Sequence, residues 1–402
     1  MPVKAHAVVF AFLMVLALGT WWEATAEERG GIFDKLVSSP QLRDEMRGGF
    51  SSRINTLLFG LAQQPVDSRL NFDNRLQIPR YQTELDLRPD FRQTFRGLEL
   101  SVRPRLELRW RRWEDGFRKH ESDTDANFFV HEWLTRYGIN DKLFISYGRE
   151  NLQWGPSYML SPSNPFNREN GQNNPRLEVP GLDYGRLVWL PSDRWTLSLI
   201  ANTSEGRQKH IRDFERAYAV KLDYTAQERY GSLIVSHREN GHSRLGFFGG
   251  WTVSEALLLY AEGGVPDKAD NVEILTGGSY TLAMGPTLTV EFFHQEAGCT
   301  RERIDLCFSP GPSGVEPADV FFRKSYVLVQ YLHTRIRDTA NFTLRWIGDL
   351  DDSSGRLINI FDYEIGDHAQ VFSIASGRIG GQNTEFGSLL EYSLMVGVGY
   401  TF

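Results

Sequence analysis

Along most of the chain, apolar and polar residues alternate one by one in short stretches, which is the period of a strand with one oily face and not of a helix. The clearest stretch places Leu98, Leu100, Val102, Leu106, Leu108 and Trp110 on one face and Glu99, Ser101, Arg103, Arg105, Glu107 and Arg109 on the other. The end of the chain, SLLEYSLMVGVGYTF, does the same. Leu390, Tyr392, Leu394, Val396, Val398, Tyr400 and Phe402 share one side, and Glu391, Ser393, Met395, Gly397, Gly399 and Thr401 share the other. Segments 81–87, 218–224, 288–294 and 342–346 repeat the pattern less completely.

Followed from end to end, the alternation predicts strands near 52–62, 80–88, 98–112, 126–138, 142–150, 182–190, 195–203, 217–225, 230–238, 243–252, 256–264, 272–282, 286–296, 320–335, 340–348, 355–364, 368–376 and 388–402. That is about 18 strands, or about 16 if one pair is lost, an even number in either case. Connections 139–141, 191–194, 226–229, 253–255, 283–285 and 336–339 are short and fall on one side. Connections 113–125, 151–181, 204–216, 297–319 and 377–387 are long and fall on the other. An up-and-down barrel with tight turns at one end and loops at the other produces this arithmetic.

The amino-terminus gives an address. Lys4 precedes an apolar run, AVVFAFLMVLALG, and then Ala24-Thr25-Ala26, a small-x-small site, so residues 1–26 read as a secretory signal peptide cleaved after Ala26. No cysteine lies near that site to carry a lipid. Beyond it no apolar run approaches the roughly 20 residues of a spanning helix. The closing strand, ending on an aromatic residue, resembles the last strand of bacterial outer-membrane β-barrels. That resemblance implies that Tyr400 and Phe402 form an assembly signal read by the barrel-assembly machinery. The expectation is therefore an all-β fold, a transmembrane antiparallel up-and-down barrel over 52–402 set in Gram-negative outer-membrane lipid. A periplasmic lead-in over 27–51, short and helical from the spacing of Ile32, Phe33, Leu36 and Val37, precedes it.

Composition agrees without proving this. The 402 residues are 13% aromatic with 37 glycines and a formal charge of −7, and mean hydropathy is −0.37. A barrel whose lumen is as polar as its belt is oily has such numbers. So does a soluble exported β protein. The slightly acidic balance argues against nucleic acid. Cys299 and Cys307, in an oxidising compartment, are expected to close an external loop as a disulfide.

Candidate chemistry sits first in 151–181, a long connection with no element of its own yet rich in rigid and apolar residues: Trp154, Pro156, Tyr158, Pro162, Pro165 and Phe166. Trp154-Gly155-Pro156, Leu160-Ser161 and Asn164-Pro165 resemble capsule-assembly barrels of the Wzi type, with Gln153 where that pattern doubles the tryptophan. Gly148-Arg149, leading into the loop, resembles alginate-export porins. Trp154, Tyr158 and Phe166 either narrow a pore or pack the loop against the barrel mouth. Arg103, Arg105, Arg109 and Arg111, with Arg88 and Arg345, either form a ladder favouring anions or pair with Glu84, Asp86 and Glu107 on neighbouring strands. His237, His242, His294 and His333 read as lining or rim residues, and no metal site is expected. There is no Gly-x-Ser-x-Gly, no HExxH and no phosphate-cradling loop, so neither an enzyme nor a cofactor is expected. Two functions remain: a porin-like channel for polar solutes, saccharide or anionic, and a barrel that assembles or binds surface polysaccharide.

Overall fold

The computed structural model describes residues 48–168, 176–207, 214–239, 241–267, 271–307 and 321–402. Within them lie eighteen strands: β1 (Phe50–Pro65), β2 (Tyr81–Phe95), β3 (Leu98–Arg112), β4 (Ser122–Asn140), β5 (Leu143–Glu150), β6 (Leu182–Ser192), β7 (Trp195–Ser204), β8 (Ala217–Thr225) and β9 (Arg229–Arg238). The other half comprises β10 (Ser243–Thr252), β11 (Leu257–Pro266), β12 (Glu273–Thr281), β13 (Thr287–Gln295), β14 (Ser325–Ile336), β15 (Ala340–Asp349), β16 (Gly355–Ile365), β17 (Ala369–Ile379) and β18 (Leu390–Thr401). Each strand pairs antiparallel with its sequence neighbours, and β1 pairs with both β2 and β18, so the sheet closes and leaves no edge. Every predicted strand is present. The signal peptide and nearly all of the 27–51 lead-in lie outside the described residues, and β1 already begins at Phe50.

Alternation decides which way each residue faces. On β1 and β18 the side chains of Leu58, Val396 and Val398 are 45%, 48% and 48% exposed, whereas the intervening Leu57 and Met395 are 2% and 5% exposed. The oily series named from the sequence therefore looks outward, and the small and polar series looks into the barrel. Leu108, Ile145, Leu199, Val235, Leu259 and Val290 extend the outward band around the ring. A water-soluble surface would not carry so continuous an apolar belt.

The short-turn end is locally coded. Between β2 and β3 only Arg96 (φ 46°) and Gly97 (φ 83°) intervene. Two successive residues in the left-handed region give the hairpin turn whose twist matches that of paired strands, and glycine adopts it without a Cβ penalty. At the seam, the Phe402 N–H donates to the Ile54 carbonyl at 2.9 Å, and the Tyr400 and Phe402 rings meet edge to face with centroids 4.6 Å apart.

The core lies inside the ring. Leu57, Phe59, Tyr260, Leu275, Phe293, Tyr326, Leu328, Ile347, Ile358, Phe372 and Met395 form one buried cluster along β11 to β18 and β1. Met159 and Leu160, from the 151–181 connection, belong to the same cluster. That loop therefore enters the barrel.

Candidate functional site

Two buried carboxylates on the wall seat the incoming limb of the loop. Glu291, inward on β13, accepts the backbone N–H groups of Tyr158 at 2.7 Å and Met159 at 3.0 Å, together with the Tyr260 hydroxyl at 2.7 Å. Glu262 on β11 accepts the Ser161 hydroxyl, and the Ser163 N–H and hydroxyl at 3.1 and 2.7 Å. Buried acceptors matter here because a loop drawn out of water brings backbone donors that must be satisfied. Close approach does the rest. Gly155 has φ +89°, and a Cβ there would stand 2.2 Å from a Glu262 oxygen, while Cβ atoms at Gly246 and Gly264 would strike the Ser163 and Pro162 carbonyls at 2.5 and 2.4 Å. Arg244 donates to the Pro162 carbonyl at 2.8 Å.

Aromatic packing seats the same limb. The Phe166 ring meets Trp154 at 5.9 Å and Tyr184 at 5.1 Å, both edge to face, and the Lys221 ammonium lies 5.4 Å from the Trp154 centroid. Phe166 is 8% exposed. Trp154 and Phe166 thus pack the loop against the wall. Tyr158 lies under the Arg345 guanidinium at 5.7 Å, and Arg345 also donates to Gln330 at 2.8 Å. Asn164, part of the motif that suggested a capsule barrel, closes a local turn by accepting the Phe166 N–H at 3.0 Å and donating to the Leu152 carbonyl at 2.7 Å.

The returning limb is bound to a different arc. Arg176 pairs with Asp362, and its guanidinium lies 4.4 Å from the Phe372 centroid. Its carbonyl accepts from Arg88 at 2.9 Å. Glu178 accepts from Arg105 at 2.7 and 2.8 Å. Burial pushes the Glu178 carboxyl up, but the Arg105 guanidinium outweighs it and holds the group below the ordinary carboxylate range.

Along β2, β3 and β4 the predicted candidates come together as pairs. Arg109 donates to both oxygens of Glu84, with Glu107 3.5 Å away. Arg88 meets Asp86 at 2.7 Å, Arg111 meets Asp123 at 2.9 Å, Arg105 also reaches Asp90 at 3.0 Å, and Arg103 pairs with Glu132. Oxygens of Glu84, Asp86 and Glu107 lie within 4.8 Å of one another, but Arg88 and Arg109 already occupy two of these carboxylates. Water reaches part of this arc: the Arg103 and Arg92 side chains are 48% and 54% exposed, whereas Glu84, Asp86 and Arg105 are buried. Sequence reasoning missed Glu262 and Glu291. Each is an acidic residue at an inward position of a strand, and no local signal separates a loop anchor from a lumen lining.

Elsewhere, Cys299 and Cys307 are joined by a disulfide. His237 and His294 lie 3.1 and 3.0 Å from the Ser243 and Ser325 hydroxyls.

These features define a class: a closed, up-and-down, 18-stranded β-barrel with a long loop folded inside. No protein-family model and no curated protein matches the sequence. Solved structures do match in fold. The chain is similar to Pseudomonas aeruginosa OccK5 (OpdH) at 10% identity, covering 88% of this chain and 98% of that one with a TM-score of 0.58. It is similar to the outer membrane protein OprD of Pseudomonas aeruginosa at 10% identity, covering 87% and 94% with a TM-score of 0.55. Acinetobacter baumannii OccAB3 matches at 12% identity, 88% and 99% coverage and a TM-score of 0.56. The likeness is to barrels of this OprD and Occ type. It does not support the Wzi-type or alginate-export-type resemblance of residues 148–165.

Proposed function

We propose that this chain is an outer-membrane channel through which polar solutes pass by diffusion along the charged arc of β2 to β4. The observation that carries the reading is the division of the lumen. The incoming limb of the loop covers the apolar arc, whereas on β2 to β4 the returning limb meets Arg88 and Arg105, and the paired Arg92 and Arg103 side chains stand 54% and 48% exposed. A channel needs a wet, polar wall beside a narrowed cross-section, and this arrangement supplies both.

Two supports give the location. OprD, similar in fold, is an outer membrane protein. The outward belt here is also bounded by exposed aromatics: Tyr137, Trp189, Trp195, Trp251, Tyr280 and Tyr400 at the short-turn end, and Tyr81, Trp110, Tyr147, Tyr218 and Tyr392 at the long-loop end. On β18, Tyr392 and Tyr400 are separated by about 27 Å of strand. Tilted by about 35–45° as barrel strands are, that rises about 19–22 Å along the axis, a little less than the apolar band of about 25 Å between aromatic girdles. The short turns then face the periplasm, and the loops and the disulfide face outside. Residues 1–26 act as the export signal in this reading, and the exposed Phe402 is available to the assembly machinery.

Planar-bilayer recording tests the function. Barrels shortened between Gln153 and Arg176 should conduct more than wild type and discriminate less by solute size, because the narrowest section dominates resistance. Their thermal stability should fall, since Met159, Leu160 and Phe166 leave the core and a buried side chain of that size is worth about 1.5–3 kcal/mol. Correctly assembled wild-type and shortened barrels that both fail to conduct would reject the channel and favour a closed barrel that handles surface polysaccharide.

A further inference from the structure

The outward belt is notched near its long-loop end. Across β5 to β8 one register row runs Tyr147, Gly185, Ala201 and Tyr218. Two small residues thus stand between two exposed tyrosines, which three strand spacings set about 14 Å apart. Leu187 and Leu199 lie one row nearer the membrane centre, and the groove above them has a volume of about 640 Å³. The local fold does not require the glycine, because a Cβ at Gly185 would meet nothing nearer than the Tyr147 ring at 3.8 Å. The floor is also stiff. Behind it, inside the barrel, Tyr184, Ile200 and Ala219 pack with the loop residue Phe166, so the groove stands ready without being ordered by an occupant.

The rim above the row is polar. The Tyr147 hydroxyl lies 3.3 Å from that of Thr203. Arg216 extends the β8 ladder by one pair, since its carbonyl accepts the Glu239 N–H at 3.0 Å. Alternation therefore puts it on the outward face with Tyr218, two residues or about 7 Å further toward the outside. Its side chain is 59% exposed and stands 3.9 Å from the equally accessible Glu239 carboxylate. Arg149, two residues above Tyr147, is closed by Asp183 at 2.8 Å. Of these two cations, Arg216 is the one an incoming anion can take with little loss, because an exposed and distant ion pair is weak.

A groove that opens into lipid is filled from lipid. This one lies at the long-loop end, which faces outside in the reading above, so the chains that reach it belong to the outer leaflet. We propose that the groove seats one acyl chain of a phosphorylated, multiply acylated glycolipid of that leaflet, with a head phosphate on Arg216. The apolar floor between aromatic walls matches the chain, and the guanidinium fork matches the phosphate. The two are stacked along β8 in the order in which such a lipid carries them. The inference rests on the outer-membrane placement and not on conduction.

The experiment titrates purified, assembled barrels in detergent with lipid A and reads bound lipid by native mass spectrometry. The wild type should bind one lipid A saturably. Gly185→Leu with Ala201→Leu, which fills the groove from the lipid side, should weaken binding about tenfold, the equivalent of between one and two methylenes left unburied. Arg216→Gln should weaken it about fivefold. That second loss should vanish with dephosphorylated lipid A, a dependence that a merely structural role would not produce. Val290→Leu, outward on β13, should bind as the wild type does. Heat-modifiable gel mobility confirms that each variant is assembled. If the filled barrel binds lipid A as tightly as the wild type, or the wild type binds none, the seat is refuted, while the channel reading keeps its own test in bilayer recording. If phosphatidylglycerol binds as tightly as lipid A, the groove is a slot for any acyl chain and the assignment to the glycolipid falls. If sedimentation shows wild-type dimers that the filled variant does not form, the groove is an interface between copies of this chain and the proposal is overturned.

Discussion

The inner wall of the barrel is built in two ways. Inward side chains from β11 to β18 are almost dry, with Phe293, Tyr326 and Phe372 at 0% exposure. Inward side chains on β2 to β4 are ionic, and several stand half in water. Both arcs belong to one sheet with the same pleat, so the backbone does not set the contrast. The residues facing the 151–168 limb do. Where that limb lies, the wall offers apolar surface and a few buried acceptors. On β2 to β4, which the returning limb touches through Arg176 and Glu178, the wall offers arginines and carboxylates in register across hairpins. A barrel can therefore hold a rigid partition on one side and keep a polar surface on the other, with each arc carrying its own energetics.

The largest effect should come from breaking the dry arc. Phe372→Ala removes a fully buried ring and should cost about 3–5 kcal/mol. The measurement is the temperature at which the fast-migrating folded form is lost on gels. Ion selectivity should not change, because no charge is altered. A measurable shift in the anion-to-cation permeability ratio would show that the two arcs are not separable.

Next in size is the seat of the loop. Glu291→Ala leaves the Tyr158 and Met159 N–H groups and the Tyr260 hydroxyl without their acceptor. Unsatisfied buried donors cost about 1–3 kcal/mol each. Proteolysis within 151–168 of assembled barrels should become detectable, and Glu291→Gln, which keeps one acceptor oxygen, should be cut more slowly. Equal resistance in all three proteins would mean that packing alone holds the loop.

The wet arc should respond in the opposite manner. Arg103→Gln should change thermal stability by about 1 kcal/mol or less, since the Arg103 side of its pair with Glu132 stands 48% exposed. It should nevertheless move the reversal potential toward cations by freeing a carboxylate. Arg103→Gln with Glu132→Gln should restore it. A double variant that stays cation-shifted would show that the pair is not what balances charge there.

How much of this could be read in advance follows from range. Strand existence and facing are local properties, carried by residues two apart, and segments such as 98–112, 217–225 and 243–252 match β3, β8 and β10 at both ends. The Glu84 and Arg109 pairing was also within reach, because a two-residue turn fixes the register of β2 on β3. The seat of the loop was not. Glu262 and Glu291 meet residues about 100 and 130 positions away, and a sequence says nothing about which inward acid a loop will choose. The motif at 154–165 was visible, yet its meaning was not. Its glycine and asparagine fit the loop to the wall, and that need arises in any barrel with an inserted loop.

The smallest effect concerns the mouth above the dry arc, where Phe321, Tyr326 and Phe386 pack together. Glu385, in the connection between β17 and β18, accepts the Phe322 and Arg323 N–H groups at 3.2 Å each and the Tyr326 hydroxyl at 2.7 Å. Burial, reinforced by Asp349 and Asp352, pushes its carboxyl up to about 8, although the Tyr326 and Phe322 donors pull the other way. The folded group is thus the weaker acid. Between about pH 4.5 and 8 the closed cap holds a proton that the opened segment has lost, so closure is favoured at the acid end and weakens as pH rises through that window. Arg323, 3.4 Å from Asp352, does not reverse the sign, because its charge is constant over the range. Amide-exchange protection at Phe322 and Arg323, corrected for intrinsic rate, should therefore fall between pH 5.5 and 8.5, and Glu385→Gln should flatten the dependence. Exchange at Ile374, deep in the same dry arc, should not change over that range. If Ile374 loses protection in parallel, the mouth and the wall below it open as one unit, and the cap is not a separate element of the comparison.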